Sequence, residues 1–289
     1  MPYLFSYFTT QDESLHLSLS WDGVVFEPVA GGGSVVNSPI GERTLRDPFI
    51  GRASDGLFHL LASNGWASTS IIHARSADLL EWTDFEAIPV MSKIAGAKNA
   101  WAPEFFSDRD GTINIIWSSS VRLEPDAGVD WLASEQYHSI WSCKTPDFRS
   151  YTESTIYLDP GFSLIDATVF KRLDSSGFLV AKDETGTNET PQARKDLLIW
   201  ALSPDGRPEG TGVRFGSPSF VEGPTVFESD GRLVMLFDPF LEDGYQAMTS
   251  VDGRDWAPVR LDLPRDARHG SVTVINDAEA ARLHSMKER

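Results

Sequence analysis

Leu45-Arg46-Asp47-Pro48-Phe49-Ile50 places one carboxylate at the head of a short apolar run, and four later segments echo that construction. They are Ala102-Pro103-Glu104-Phe105-Phe106, Asp166-Ala167-Thr168-Val169-Phe170, Glu222-Gly223-Pro224-Thr225-Val226-Phe227 and His269-Gly270-Ser271-Val272-Thr273-Val274. Read together they describe five similar units, each presenting a polar group at the start of an inner strand.

Turn signals fill the space between these heads. Asp55-Gly56, Asp110-Gly111, Gly177 and Asp230-Gly231 each separate the inner run from a second apolar run, as in a β-hairpin. A Ser/Thr-x-Asp turn then leads to an aromatic-containing strand, at Ser20-Trp21-Asp22, Ser76-Ala77-Asp78, Thr145-Pro146-Asp147, Ser203-Pro204-Asp205 and Ser250-Val251-Asp252. The runs are short, rich in Val, Ile, Phe, Tyr and Trp, and alternate in places, as in Leu15-His16-Leu17-Ser18-Leu19-Ser20. Only the tail from Asp277 to Arg289 reads as helix, with Asp277 as its N-cap.

Repeated four-strand units predict an all-β chain, a five-bladed β-propeller in one domain spanning residues 1–289. The last unit has an inner strand near Ser271–Ile275 and no room for three more. The N-terminus offers three orphan strands near Leu4–Thr9, Leu15–Ser20 and Val24–Pro28, so the last blade is expected to close with them.

Composition narrows the function. Hydrophobic residues make up 41% and charged residues 23% of the 289, which is ordinary globular usage and excludes a disordered or fibrous chain. A formal net charge of −17 argues against a nucleic-acid partner, which needs clustered Lys and Arg, and favours a neutral ligand. The single Cys143 forms no intrachain disulfide. No run has the length of a membrane span, and Met1 to Leu15 lacks a basic start and a sustained apolar core. The expectation is a cytoplasmic protein with no membrane partner, its oligomeric state left open.

In a propeller the residues that open the inner strands converge on one mouth of the channel. Asp47, Asp166 and Glu222, separated by 119 and 56 residues, are therefore expected to share a pocket. Carboxylates held together raise one another's proton affinity, so one stays protonated while another is ionised. Glycosidic bond hydrolysis needs that division: one carboxylic acid protonates the leaving oxygen and one carboxylate activates water or attacks the sugar. Taken singly, each Asp is better read as a turn residue; the repeated placement favours a site. Trp66 and Trp101 are candidates to border the pocket as flat walls for a sugar. Trp82, Trp117, Trp200 and Trp256 sit in strand contexts and read as packing residues. Lys182, Asp183, Asn99 and Glu104 are candidate polar contacts.

Arg46-Asp47-Pro48, Trp101-Ala102-Pro103-Glu104, Ile165-Asp166-Ala167 and Glu222-Gly223-Pro224, in this order and spacing, resemble the motifs of glycoside hydrolase family 43. That family comprises five-bladed propellers acting on arabinan and xylan side chains, and Arg268-His269-Gly270 resembles its last-blade motif. The resemblance runs from about Leu45 to Ile275. It implies that Asp47 is the general base, Asp166 tunes and orients the acid, and Glu222 is the general acid. Inversion of configuration is implied too, with base and acid about 6.5–9.5 Å apart. His269 would line the channel, where the family often holds a cation or ordered water. Contact with a structural Ca2+ through water is then the one metal role expected, and no cofactor is required. Ala167 and Thr168 after Asp166 depart from many members and leave the subfamily open.

The resulting expectation is an exo-acting inverting hydrolase with a carbohydrate substrate, releasing terminal α-L-arabinofuranose. The same residues also suit a β-xylosidase or an exo-β-1,3-galactanase. A non-catalytic carbohydrate-binding propeller is the alternative of another class. A fructan-cleaving relative is disfavoured, because its Asn-Asp-Pro and Glu-Cys motifs are missing. Two long segments, 121–135 and 183–195, read as insertions of the kind that shape a pocket.

Overall fold

The inner strand of each blade is an apolar run headed by a polar residue, and a hairpin turn sends the chain outward from it. The chain opens with β1 (Tyr3–Thr9), β2 (His16–Ser20) and the short β3 (Glu27–Pro28). Blade 1 is β4 (Arg46–Arg52), β5 (Phe58–Ser63), β6 (Ile71–Ser76) and β7 (Thr83–Ile88). Blade 2 is β8 (Trp101–Ser107), β9 (Ile113–Ser120), β10 (His138–Thr145) and β11 (Thr155–Leu158). Blade 3 is β12 (Leu164–Lys171), β13 (Gly177–Asp183), β14 (Leu197–Leu202) and β15 (Pro208–Arg214). Blade 4 is β16 (Glu222–Ser229), β17 (Arg232–Asp238), β18 (Gln246–Ser250) and β19 (Ala257–Val259), and β20 (Ala267–Val274) comes last. The computed structural model describes residues 1–121, 137–172, 176–189, 193–242 and 244–288. Segment 121–135 therefore lies outside the described residues except for Val121, and 183–195 is described apart from 190–192.

Every sheet is four-stranded and antiparallel, and the fifth has the order β20-β1-β2-β3, so the N-terminal strands complete the last blade. The register runs from Tyr3 opposite Val274 to Thr9 opposite Ala267. The five inner strands β4, β8, β12, β16 and β20 contact one another in that cyclic order and close the ring. This is a five-bladed β-propeller.

The alternation in the sequence is a weaker guide than its apolar runs, because both faces of the second strands are covered by neighbouring blades. All eight residues of β9 are buried. Leu60 packs toward blade 5 and Leu61 toward blade 2, while Ile115 faces blade 1 and Ile116 faces blade 3. Leu179, Val180, Met235 and Leu236 continue the pattern round the ring. The core is thus five apolar wedges, one at each blade junction. Trp117 and Trp200 fill two of them, as expected of packing residues.

All five Ser/Thr-x-Asp turns join the third and fourth strands of a blade. In the first copy the Gly23 N–H donates to Ser20 Oγ at 2.9 Å, and Val24 and Val25 donate to Asp22 Oδ1 at 2.8 and 3.0 Å. The turn at Ser76 and Asp78 repeats this through Leu79, Leu80 and Glu81.

Three boundaries differ from the sequence expectation. The last inner strand begins at Ala267, not Ser271, and the fourth strand of its blade is only Glu27–Pro28. Helix α1 (Asp277–His284) is capped by Asn276 rather than Asp277, because Asn276 accepts the Glu279 N–H while Glu279 reaches back to the Asn276 N–H. Ala280 and Leu283 of α1 are buried in the wedge between blades 5 and 1.

Candidate active site

A β-bulge at the head of each inner strand decides which side chains reach the channel mouth. Asp47 and Pro48 sit between the pairs Arg46–Ser63 and Phe49–Leu61, so two residues oppose one. Ala102-Pro103, Asp166-Ala167 and Gly223-Pro224 repeat the bulge in blades 2, 3 and 4. In blade 5, His269 and Gly270 lie between the pairs Arg268–Phe8 and Ser271–Ser6. Asp47, Ala102, Asp166, Gly223 and His269 are therefore equivalent positions. Glu222 stands one residue earlier, equivalent to Arg46 and Trp101, and Glu104 two residues later than the bulge head.

Four of the five heads are left-handed, with φ of 52° at Asp47, 47° at Ala102, 56° at Asp166 and 54° at Gly223. Such a backbone costs a residue with a Cβ about 1–2 kcal/mol, and aspartate tolerates it better than most. At position 223 only glycine fits, since a Cβ would come within 2.5 Å of the His269 ring.

The bulges are tied to the preceding blade by its second strand. Ser63 Oγ accepts the Ala102 N–H at 2.8 Å, Ser118 Oγ accepts the Asp166 N–H at 2.9 Å, and Asp238 Oδ2 accepts the His269 N–H at 3.3 Å. Ser63 Oγ also donates to Asp47 Oδ2 at 2.5 Å. Asp166 Oδ2 accepts the Gly223 N–H at 3.2 Å.

His269 lies between the first two carboxylates. Its Nδ1 is 3.5 Å from Asp47 Oδ1 and 3.6 Å from Asp166 Oδ2. Burial works against a charged imidazole, but the carboxylates of Asp166, Asp47, Glu222 and Glu104 outweigh it and shift His269 upward. Burial pushes Asp166 up to about 7; His269 and Lys182 oppose the rise, while the Glu222 and Asp47 charges add to it. Asp166 therefore carries its proton near neutral pH far more readily than an ordinary aspartate. Glu222 borders the same group, bonded to Lys182 Nζ at 2.8 Å.

Among the described residues, no set of three His, Cys, Asp or Glu side chains is arranged to hold a metal ion. The residues at His269 do not fit a directly liganded calcium, and the reaction below is written without one.

Trp66 and Trp101 form a T-shaped pair with ring centroids 5.6 Å apart, and the Trp101 indole N–H donates to the Trp66 carbonyl at 2.8 Å. Trp66 is 48% exposed and carries the Arg46 guanidinium 4.3 Å above its ring. Trp101 follows the rim position of Arg46, so these rings stand beside Asp47. Asn99 is fully buried and accepts the Ser120 N–H, and Asp183 is paired with Arg214. Glu104 is buried, and burial pushes it up to about 8, against the pull of a hydrogen bond from Thr168. Lys182 is 2% exposed, and its ammonium lies against Glu222 and Glu184.

Sequence reading passed over Ser63, Ser118 and Asp238. The signal was present: Ser63, Ser118 and Lys182 each fall 17 residues after their strand-head partners Arg46, Trp101 and Ile165, and Asp238 falls 16 after Glu222. Asp238 is buried, pairs with Arg268 at 2.7 Å, and is pushed up to about 6 by burial and the Glu222 charge.

A propeller with acidic side chains gathered at its channel mouth is the architecture of a family 43 glycoside hydrolase. The family model described as a probable glycosyl hydrolase domain, related to family 43, matches residues 1–281, and the chain belongs to that family. A thermostable family-43 glycoside hydrolase superposes with a TM-score of 0.63 at 16% identity, covering 82% of each chain. The α-L-arabinofuranosidase from Lactobacillus brevis gives 0.60 at 20% identity, over 81% of this chain and 80% of that one. An α-L-arabinofuranosidase of Bifidobacterium longum subsp. longum is 26% identical over a match that takes in 57% of this chain and 17% of that protein. The match thus spans under a fifth of that relative's length.

Proposed function

We propose that the chain hydrolyses a terminal glycosidic bond with inversion, that α-L-arabinofuranose is the sugar released, and that Asp47, Asp166 and Glu222 carry the reaction. The observation behind this reading is the convergence of Asp47 and Asp166 on one imidazole, at 3.5 and 3.6 Å, beside the strand head that bears Glu222. Asp47 takes a proton from water as the water oxygen attacks the anomeric carbon. Glu222 gives its proton to the glycosidic oxygen as the carbon–oxygen bond breaks. Asp166 holds the Gly223 N–H and so fixes the backbone next to the acid. Trp66 and Trp101 offer an aromatic wall to the sugar. The named activity of the Bifidobacterium longum relative places arabinofuranose first among the sugars to test.

Hydrolysis of aryl α-L-arabinofuranoside, β-xyloside and β-galactoside is the test. The arabinofuranoside should be cleaved fastest, and Asp47→Ala and Glu222→Ala should each lower the rate by about 10²–10⁴-fold. Preference for the β-xyloside or β-galactoside replaces the sugar assignment. Inactivity on all three moves the chain to carbohydrate binding without catalysis, and full activity in both variants overturns the residue roles.

A further inference from the structure

The junction between blades 3 and 4 breaks the rule that the other described junctions obey. Ser63, Ser118 and Asp238 each close a second strand and accept the N–H of the next bulge. Lys182 holds the equivalent position in β13, paired with Ile165. An ammonium has donors and no acceptor, so it cannot play that part. The Gly223 N–H goes instead to Asp166, and the ammonium goes to Glu222 at 2.8 Å.

Lys182 is also enclosed. Its Nζ lies 4.3 Å from the centre of the Phe240 ring and 2.8 Å from Glu184 Oε2. Glu184 in turn holds the buried Lys195 ammonium at 2.7 Å. The backbone at Arg194 and Lys195 accepts the N–H groups of Phe220 and Val221, the residues that lead into Glu222. Both ends of the 183–195 segment are thereby fastened to the strand head that bears Glu222.

We propose that Lys182 is a positioning residue for Glu222, fixing its carboxyl at the rim and setting the alkaline limb of activity, with Glu184 and Lys195 holding the ammonium in place. This rests on Glu222 acting as the general acid. An acid works only while protonated, and a cation 2.8 Å away favours the anion. Asp166 on β12, Asp238 on β17, Tyr245 before β18 and His269 on β20 also act on Glu222 or are acted on by it. The chain thus sets one enclosed cation against several acidic groups.

The test is the pH profile of kcat/KM for the intact protein and three variants. Lys182→Met removes the cation, so the alkaline limb should move up by about one pH unit while kcat falls. Lys182→Arg should keep the limb near its original place. Glu184→Gln leaves the ammonium to act on Glu222 alone, and the limb should move down. A limb unmoved in both the Met and Gln variants, or moved in the opposite senses, overturns the proposal. If Lys182→Met does not fold, the direction of the Glu184→Gln shift decides. Glu222→Gln separates this from the reading beneath it: a general acid is needed for poor leaving groups and dispensable for dinitrophenolate. Equal loss on both kinds of substrate overturns the acid role. The expected leaving-group dependence together with an unmoved limb overturns the role of Lys182 alone.

Discussion

Burial rather than sequence position sets the behaviour of individual acids in this molecule. Glu104 and Asp166 both belong to strand-head motifs, yet Glu104 lies two residues past its bulge and packs among Thr168 and its neighbours instead of opening on the channel. Its carboxyl is raised from 4.5 to about 8. A carboxyl with a raised folded-state value stabilises the fold fully below its unfolded value near 4.5. That contribution is lost as pH climbs through about 8. Glu104→Gln keeps the shape and removes the titration. Thermal midpoints of the two proteins should agree near pH 4.5, with the variant higher by several degrees at pH 9. A shallower slope should persist below pH 7, where Asp166 titrates. Parallel midpoint curves for the two proteins would show that Glu104 is not the group responsible.

The bulge is the element that turns a repeated strand into a site. Pairing across β-strands has a period of two, so one added residue reverses which side chains face the channel. Deleting Pro48 restores regular pairing in β4 and should carry the Asp47 carboxyl away from His269. Activity should fall below detection while the ring still melts cooperatively at a lower temperature. Activity retained by that variant would detach the bulge from function. The strand heads were legible because Asp, Pro and Gly punctuate them, and the closing strands were legible because three apolar runs at the N-terminus lacked a blade. The bulges were not: an extra residue leaves no mark in composition, so Glu104, Glu222 and Asp47 looked equivalent when they occupy three different positions. Partners such as Asp238 were hidden for the same reason, since each is defined by register across a hairpin. Asn276 lost the cap to Asp277 in the sequence reading, although Glu279 three residues on marks the capping box.

Ring closure reaches the site as well as the ends of the chain. β1 is the strand that joins β20 to the rest of blade 5, and its Ser6 also crosses into blade 1. Ser6 Oγ donates to the Pro48 carbonyl at 2.9 Å, Ser271 Oγ lies 3.2 Å from the same oxygen, and Ile50 donates its N–H to Ser271 Oγ at 3.3 Å. Pro48 is the second residue of the bulge that aims Asp47, so the hydroxyls that seal the last blade to the first also hold the proposed base. Closeness here leaves no slack, for a Cβ at Gly270 would meet the Ser6 carbonyl at 2.0 Å. Replacing Ser6 and Ser271 together by Ala strands a buried carbonyl, which costs about 1–3 kcal/mol, or several degrees in the thermal midpoint. If closure also orients Asp47, kcat should fall tenfold or more with KM little changed, measured well below the melting temperature. A lower midpoint with kcat unchanged would confine these serines to stability. The stability loss follows from burial alone, whereas the loss of kcat requires that the ring's last strand pair and its first strand head act as one unit.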